Sequence, residues 1–160
     1  MSCAPCSHSA LRAPVAREAH GYAEVRRRAE VLGPIGNAAA FYWLIEPLVA
    51  GARHEMAHVT MLDIYGNWRR TRQVGSGTID AVDVPIPETL RAGIDSGCRY
   101  AILSHNHPSG WAWPSEADAE LTEAVERACF EVDLVLLDHV VLGRGEFFSF
   151  REGQLWTIRS

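Results

Sequence analysis

Two histidines one residue apart, His105 and His107, follow the apolar run Tyr100-Ala101-Ile102-Leu103. Imidazole nitrogens take up protons and metal ions near neutral pH. The apolar run reads as a buried strand, and residues i and i+2 of a strand point to the same side. Both rings can therefore aim at one point. Pro108 and Gly110 then end the strand and turn the chain. Ser115 marks a helix start, and Asp118 three residues later falls in the first helical turn. Two imidazoles and one carboxylate are a ligand set that Zn²⁺ accepts in catalytic sites, with a fourth position left for water. Taken alone, Ser115-x-x-Asp118 is equally an N-cap with an acidic residue facing unpaired amides and the helix dipole. Taken alone, His-x-His is a structural or exposed pair.

The joint string is more specific than its parts. His105-Asn106-His107-Pro108-Ser109-Gly110, then Pro114-Ser115 and Asp118 through Thr122, and then Leu137-Asp138-His139-Val140-Val141-Leu142-Gly143 resembles the RadC branch of the JAMM (MPN+, JAB-domain) metallopeptidases. The resemblance spans about residues 37 to 155. It implies an α/β fold of the cytidine deaminase-like JAB/MPN kind, a mixed β-sheet flanked by helices in a single domain. It implies Zn²⁺ held by His105, His107 and Asp118. In the family a glutamate at the start of the first core strand is the general base, which falls here on Glu55, and a serine, here Ser115, stabilises the oxyanion. Without the resemblance, Glu55 is an exposed residue ahead of a strand.

Other residues near these positions carry weaker signals. Asn106 lies between the two histidines and points the other way, toward backbone or a neighbouring turn. Asp138 and His139 are candidates to hold the ligands from behind, since metal-bound histidines usually donate their second N–H to a carboxylate or carbonyl. The competing reading makes Asp138 a strand-end cap and His139 a satisfied core residue. His54 and His58 flank Glu55 and are read as non-ligands. Trp111 and Trp113 sit on a loop that is usually polar in RadC relatives, and are expected to form a substrate platform or partner contact, packing down on the sheet being the alternative.

The elements that must position these groups follow from the hydrophobic pattern. Residues 1 to about 16 read as a flexible tail, Val15 to Leu32 as a weakly amphipathic helix, and Gly33-Pro34 as its stop. Residues 1–36 thus form an N-terminal tail and helix, without the glycine-rich turns of the helix-hairpin-helix module common in the family, and residues 37–160 form the RadC-like domain. Asn37 is expected to cap an apolar helix from Ala38. Strands are expected over 57–64 and 68–74, with Tyr65-Gly66-Asn67 as a hairpin turn. Gly75-Ser76-Gly77-Thr78 reads as a turn leading the chain across the sheet. A helix follows to Ser96 with Gly97 as its stop. RadC relatives usually have Pro-Arg-Glu at its start, where this chain has Ile86-Pro87-Glu88. After the helix from Ser115 to Phe130, Val132 to Leu137 reads as a central strand extended by Val140–Leu142, and Phe147 to Phe150 as a last short strand.

Composition narrows the function classes. The net charge is −5, whereas a nucleic-acid-binding domain usually has a basic footprint. Two basic clusters, Arg26-Arg27-Arg28 and Arg69-Arg70-x-Arg72, read as solvated faces. No apolar run approaches the roughly 20 residues that span a bilayer, and the N-terminus has no apolar signal region, so a cytoplasmic protein without a membrane partner is expected. Cys3 and Cys6 with His8 read as part of the tail, an accessory metal or intermolecular site being the alternative. Cys98 and Cys129 are expected as buried thiols. The leading expectation is zinc-dependent hydrolysis of a protein or peptide amide bond, either peptide or isopeptide. The alternative is a DNA repair or maintenance factor acting at DNA, and the third reading is a non-catalytic scaffold. No feature of the sequence sets an oligomeric state.

Overall fold

Alternation of apolar residues along the central segments builds one seven-stranded mixed sheet, with helices on both faces. The computed structural model describes residues 12–77 and 82–158. Cys3, Cys6, His8 and Thr78 lie outside them. The described elements are α1 (Arg12–Leu32), α2 (Ala38–Val49), β1 (Met56–Leu62), β2 (Trp68–Gly77), β3 (Val82–Asp83), α3 (Ile86–Ser96), β4 (Tyr100–Asn106), α4 (Glu116–Glu131), β5 (Val135–Leu142), β6 (Glu146–Ser149) and β7 (Gln154–Thr157). The strand order is β3-β2-β1-β4-β5-β6-β7. Only β4 and β5 run parallel, joined through α4, and all other neighbours are antiparallel.

Each face has its own core. Ala57, Val59 and Met61 of β1 and Ala101 and Leu103 of β4 pack with Val125 and Cys129 of α4 and Ala92 of α3. On the other face, Phe41, Tyr42 and Ile45 of α2 pack on Leu62, Ile102, Val140, Leu142 and Phe147. Asn37 caps α2 by accepting the Ala40 N–H at 2.8 Å, and Pro47 lies inside the helix without ending it. The helix α1 packs on α2. Its Tyr22 hydroxyl accepts the Gln73 N–H at 3.1 Å, tying α1 to β2.

Several boundaries differ from expectation, each for a tertiary reason. Gly75-Ser76-Gly77 is no turn: Gly75 pairs with Ala57 and Ser76 with Met56, so β2 continues. The helix α1 starts at Arg12, inside the segment expected as a tail. The strand β5 starts at Val135, after Asp133 at φ 60° closes a turn behind α4. The strand β7, unexpected from the sequence, pairs along β6 through Phe147–Trp156 and Phe148–Leu155.

Register matters most between β4 and β5. Ala101 pairs with Leu136 but Ile102 pairs with Asp138, so Leu137 is skipped. Such a bulge reverses which face the following residues serve. Leu136 joins the α3/α4 core and Leu137 the α2 core. Asp138 stays on the α2 side, in a cavity beside Ile102 and Phe41. His139 then falls on the α4 side.

Candidate metal centre

The carboxyl end of the parallel pair is where the chemistry-bearing groups meet. Sites in α/β sheets lie beyond the strand C-termini, next to the following helix. His105 is the last but one residue of β4 and is 1% exposed. His107 follows one residue beyond the strand and keeps the same side. The first turn of α4 brings Asp118 against them, itself 7% exposed. His105 Nε2 lies 3.0 Å from Asp118 Oδ1 and 3.0 Å from His107 Nε2, and His107 Nε2 lies 3.5 Å from Asp118 Oδ2. One ligand atom from each residue falls within 4.8 Å of the others.

The cap and the ligand readings of Ser115 and Asp118 coexist. Ser115 Oγ accepts the Asp118 N–H at 3.2 Å, while Asp118 Oδ2 accepts from Ser115 N–H and from the Ser115 hydroxyl, both at 2.7 Å. This capping box fixes the carboxylate rotamer, and Oδ1 is left facing His105. The hydroxyl hydrogen of Ser115 is engaged by Asp118 in this arrangement.

The donor set fits a divalent cation. His107 Nδ1 lies 2.9 Å from the Trp111 carbonyl oxygen. A carbonyl only accepts, so Nδ1 carries the proton and Nε2 presents its lone pair to the other two ligands. Neutral imidazole nitrogens and a carboxylate, buried together, are the ligands zinc uses. Electrostatics agree with a centre built to hold positive charge. Burial pushes the Asp118 carboxyl up, but its hydrogen bonds with His105 and His107, the charge of His105 and the Ser115 hydrogen bond outweigh this and hold it well below the usual carboxylate range. Burial pushes His107 down, yet the Asp118 hydrogen bond, the Trp111 carbonyl and the charges of Asp118 and Glu55 prevail and raise it.

Glu55 reaches the same end of the sheet because β1 runs antiparallel to β4. Ala57 pairs with His105, and continuing that register carries Glu55 to the level of His107. It is 5% exposed. Asn106 clasps the backbone on both sides of it: Oδ1 accepts the Met56 N–H at 2.9 Å, and Nδ2 donates to the His54 carbonyl at 3.1 Å. Gly77 N–H donates to the Glu55 carbonyl at 3.0 Å.

Behind the ligands, His139 Nε2 lies 2.8 Å from His105 Nδ1. Its Nδ1 lies 2.6 Å from Thr122 Oγ1, and that hydroxyl contacts the Asp118 carbonyl oxygen at 2.6 Å. Phe150 stacks on His139 at 5.0 Å with the rings nearly parallel. Burial, then the charge of His105, pushes His139 well below the usual histidine range. Asp138, expected beside these histidines, faces the opposite side because of the bulge. Its carboxylate accepts from the Ser149 hydroxyl at 2.6 Å and the Arg151 N–H at 3.0 Å, and burial raises its pKa.

Trp111 and Trp113 are 73% and 66% exposed, with Trp113 edge-on to Phe148 at 5.6 Å. The Trp111 backbone carbonyl, and neither indole, is what touches His107. The loop that carries it is fastened to the β5–β6 turn. Glu146 Oε1 accepts the Ala112 N–H at 2.7 Å, and Gly110 O accepts the Arg144 N–H at 2.8 Å. Thr122, Glu146 and Phe150 were not identified from sequence as site residues. The one available signal was the i, i+4 spacing of Asp118 and Thr122, which puts both on one helical face. A cavity of about 220 Å³ opens beside His107, walled by Tyr42, Pro108, Gly143 and Arg144. No helix among the described residues is long and apolar enough to cross a membrane.

A sequence-family model described as RadC-like JAB domain matches residues 35–155. The match covers β1 through β6, the start of β7, the cap of α4 and every residue of the cluster. The chain therefore belongs to the RadC-like JAB domain family.

Proposed function

We propose that this protein is a zinc-dependent hydrolase that cleaves an amide bond in a protein or peptide. The observation that carries this reading is the convergence of His105, His107 and Asp118 within 4.8 Å, with buried Glu55 close enough to raise His107 by its charge. Zn²⁺ held by those three side chains supplies Lewis acidity toward a water molecule and an amide carbonyl. Glu55, whose backbone is held by Asn106 and Gly77, takes the proton from the attacking water and returns it to the leaving amine. Ser115 holds the Asp118 carboxylate and, on turning its hydroxyl outward, donates to the developing oxyanion. Trp111 and Trp113, exposed on the loop whose backbone holds His107, offer apolar surface to the substrate.

A protein substrate is favoured over DNA by charge. Beyond the net charge of −5, the first basic cluster is already paired. Arg27 and Arg28 hold Glu24 at 2.6 and 2.9 Å, Arg28 also reaches Glu46 at 3.2 Å, and Arg26 lies 3.8 Å from Glu30. Arg72 of the second cluster is 3.7 Å from Asp95.

Metal content and turnover, measured together, test the proposal. Wild type is expected to carry about one zinc per chain and His105→Ala almost none. Glu55→Gln is expected to keep the zinc and lose hydrolysis of a peptide library by about 100-fold or more. Wild type that takes up no zinc, or undiminished turnover by Glu55→Gln, sinks the reading.

A further inference from the structure

The three short contacts behind His105 share protons in only one way. Thr122 Oγ1 lies 2.6 Å from the Asp118 carbonyl oxygen and 2.6 Å from His139 Nδ1. A threonine hydroxyl has one proton, and a carbonyl can only accept. The proton of Thr122 therefore goes to Asp118 O, the ordinary back-bond of a helical threonine to residue i−4. His139 Nδ1 must then be the donor toward Thr122 Oγ1, because two bare acceptors at that distance repel. With its proton on Nδ1, the neutral His139 ring has a bare Nε2. That nitrogen lies 2.8 Å from His105 Nδ1, which must donate to it. A neutral His105 is then bare at Nε2, which faces His107 Nε2 and Asp118 Oδ1 at 3.0 Å, so lone pairs converge where only a metal ion or a proton relieves their repulsion.

We infer that Thr122, acting through His139, is a positioning residue that sets the His105 tautomer and so prepares its Nε2 as a ligand before any ion arrives. This rests on the metal reading above and extends it to residues that touch no ion. The relay closes on itself: the helical turn that supplies the Asp118 carboxylate also supplies the carbonyl that fixes the direction of the proton chain. Phe150, stacked on His139, keeps the ring in the plane the relay needs. The bulge at Leu137 is what turns His139 to this face. His107 is set independently, by the Trp111 carbonyl. Each histidine ligand thus has its own tautomer lock, built from a different element.

The test is ¹⁵N NMR of the histidine rings in zinc-free protein at about pH 8, where an ordinary histidine is neutral, with zinc competition titrations on the same samples. The variants are Thr122→Val, which keeps the shape and the helix backbone bond, and Thr122→Ser, which restores the hydroxyl. In wild type and in Thr122→Ser, His105 and His139 are expected to be protonated at Nδ1, and His139 to be bare at Nε2. In Thr122→Val, His139 is expected to populate both tautomers, and zinc affinity to fall about 10- to 100-fold. Thr122→Ser should bind within about threefold of wild type, on the same scale of outer-shell effects. A bare Nδ1 on His105 in wild type, or unchanged tautomers in Thr122→Val, overturns the inference. Tautomers as assigned in a protein that binds no zinc would support the relay and reject the metal reading, so the two failures are distinguishable.

Discussion

At the scale of single residues, a buried histidine outside both the metal cluster and the relay behind it makes the clearest prediction. His58 on β1 is 1% exposed, and its Nδ1 has no hydrogen-bond partner among the described residues. Its side chain meets the edge of the Tyr22 ring at 6.4 Å. Burial pushes its pKa down to about 4. In the unfolded chain it titrates near 6.5. Between those values the unfolded state binds a proton that the folded state refuses, so stability falls as pH falls through that window. The loss between pH 7 and about pH 4.5 is expected to be about 2–3 kcal/mol. Urea unfolding at the two pH values should show it in wild type, and His58→Leu should lose much of the difference. An equal pH slope in both proteins would assign the acid sensitivity to other groups.

At the scale of elements, the decisive device is the contact between the 108–113 loop and the β5–β6 turn. A Cβ at Gly143 would stand 2.5 Å from Gly110 O and 2.9 Å from Ala112 N, both rigid backbone atoms. The loop can approach so closely only because residue 143 has no side chain. Gly143→Ala must push the loop outward, and with it the Trp111 carbonyl that holds His107. Zinc affinity is expected to fall about 10- to 100-fold, as for loss of other outer-shell partners, with about 1–3 kcal/mol of stability lost to overpacking. Gly36→Ala is the control, since nothing lies within 4 Å of its Cβ position. Competition titration and denaturant melts of both variants decide the matter, and zinc binding by Gly143→Ala at the wild-type level would show the loop to be dispensable.

At the scale of the whole molecule, the three candidate ligands come from two elements that meet only in the folded state. His105 and His107 belong to the end of β4, and Asp118 to the start of α4. An ion that binds all three therefore stabilises the fold by mass action. Zinc at about 1,000 times its dissociation constant is expected to add about 4 kcal/mol. Thermal or urea unfolding with and without a chelator measures this, with His105→Ala as the reference that should no longer respond. An equal zinc response in His105→Ala would place the bound ion elsewhere.

What the sequence determined by itself are the features that depend on local geometry. The i, i+2 spacing of His105 and His107 aims both rings one way because strand side chains alternate. The spacing of Ser115 and Asp118 closes a capping box because one helical turn brings those positions together. Asn37 as an N-cap and Gly97 as a left-handed stop at φ 65° are local in the same sense. The family string added the α/β fold. What only the tertiary structure decided depends on pairing between distant strands. Strict alternation along β5 would set Leu136 and Asp138 on one face and His139 on the other. Skipping Leu137 against β4 reverses this, putting His139 behind His105 and Asp138 out of reach. Gly75–Gly77 has the composition of a turn, but pairing with Met56 and Ala57 draws it into β2. The contacts of Thr122 with His139, of the Trp111 carbonyl with His107 and of Glu146 with Ala112 join residues on separate elements. Such contacts are set by how the chain packs, and spacing along the sequence carries no record of them.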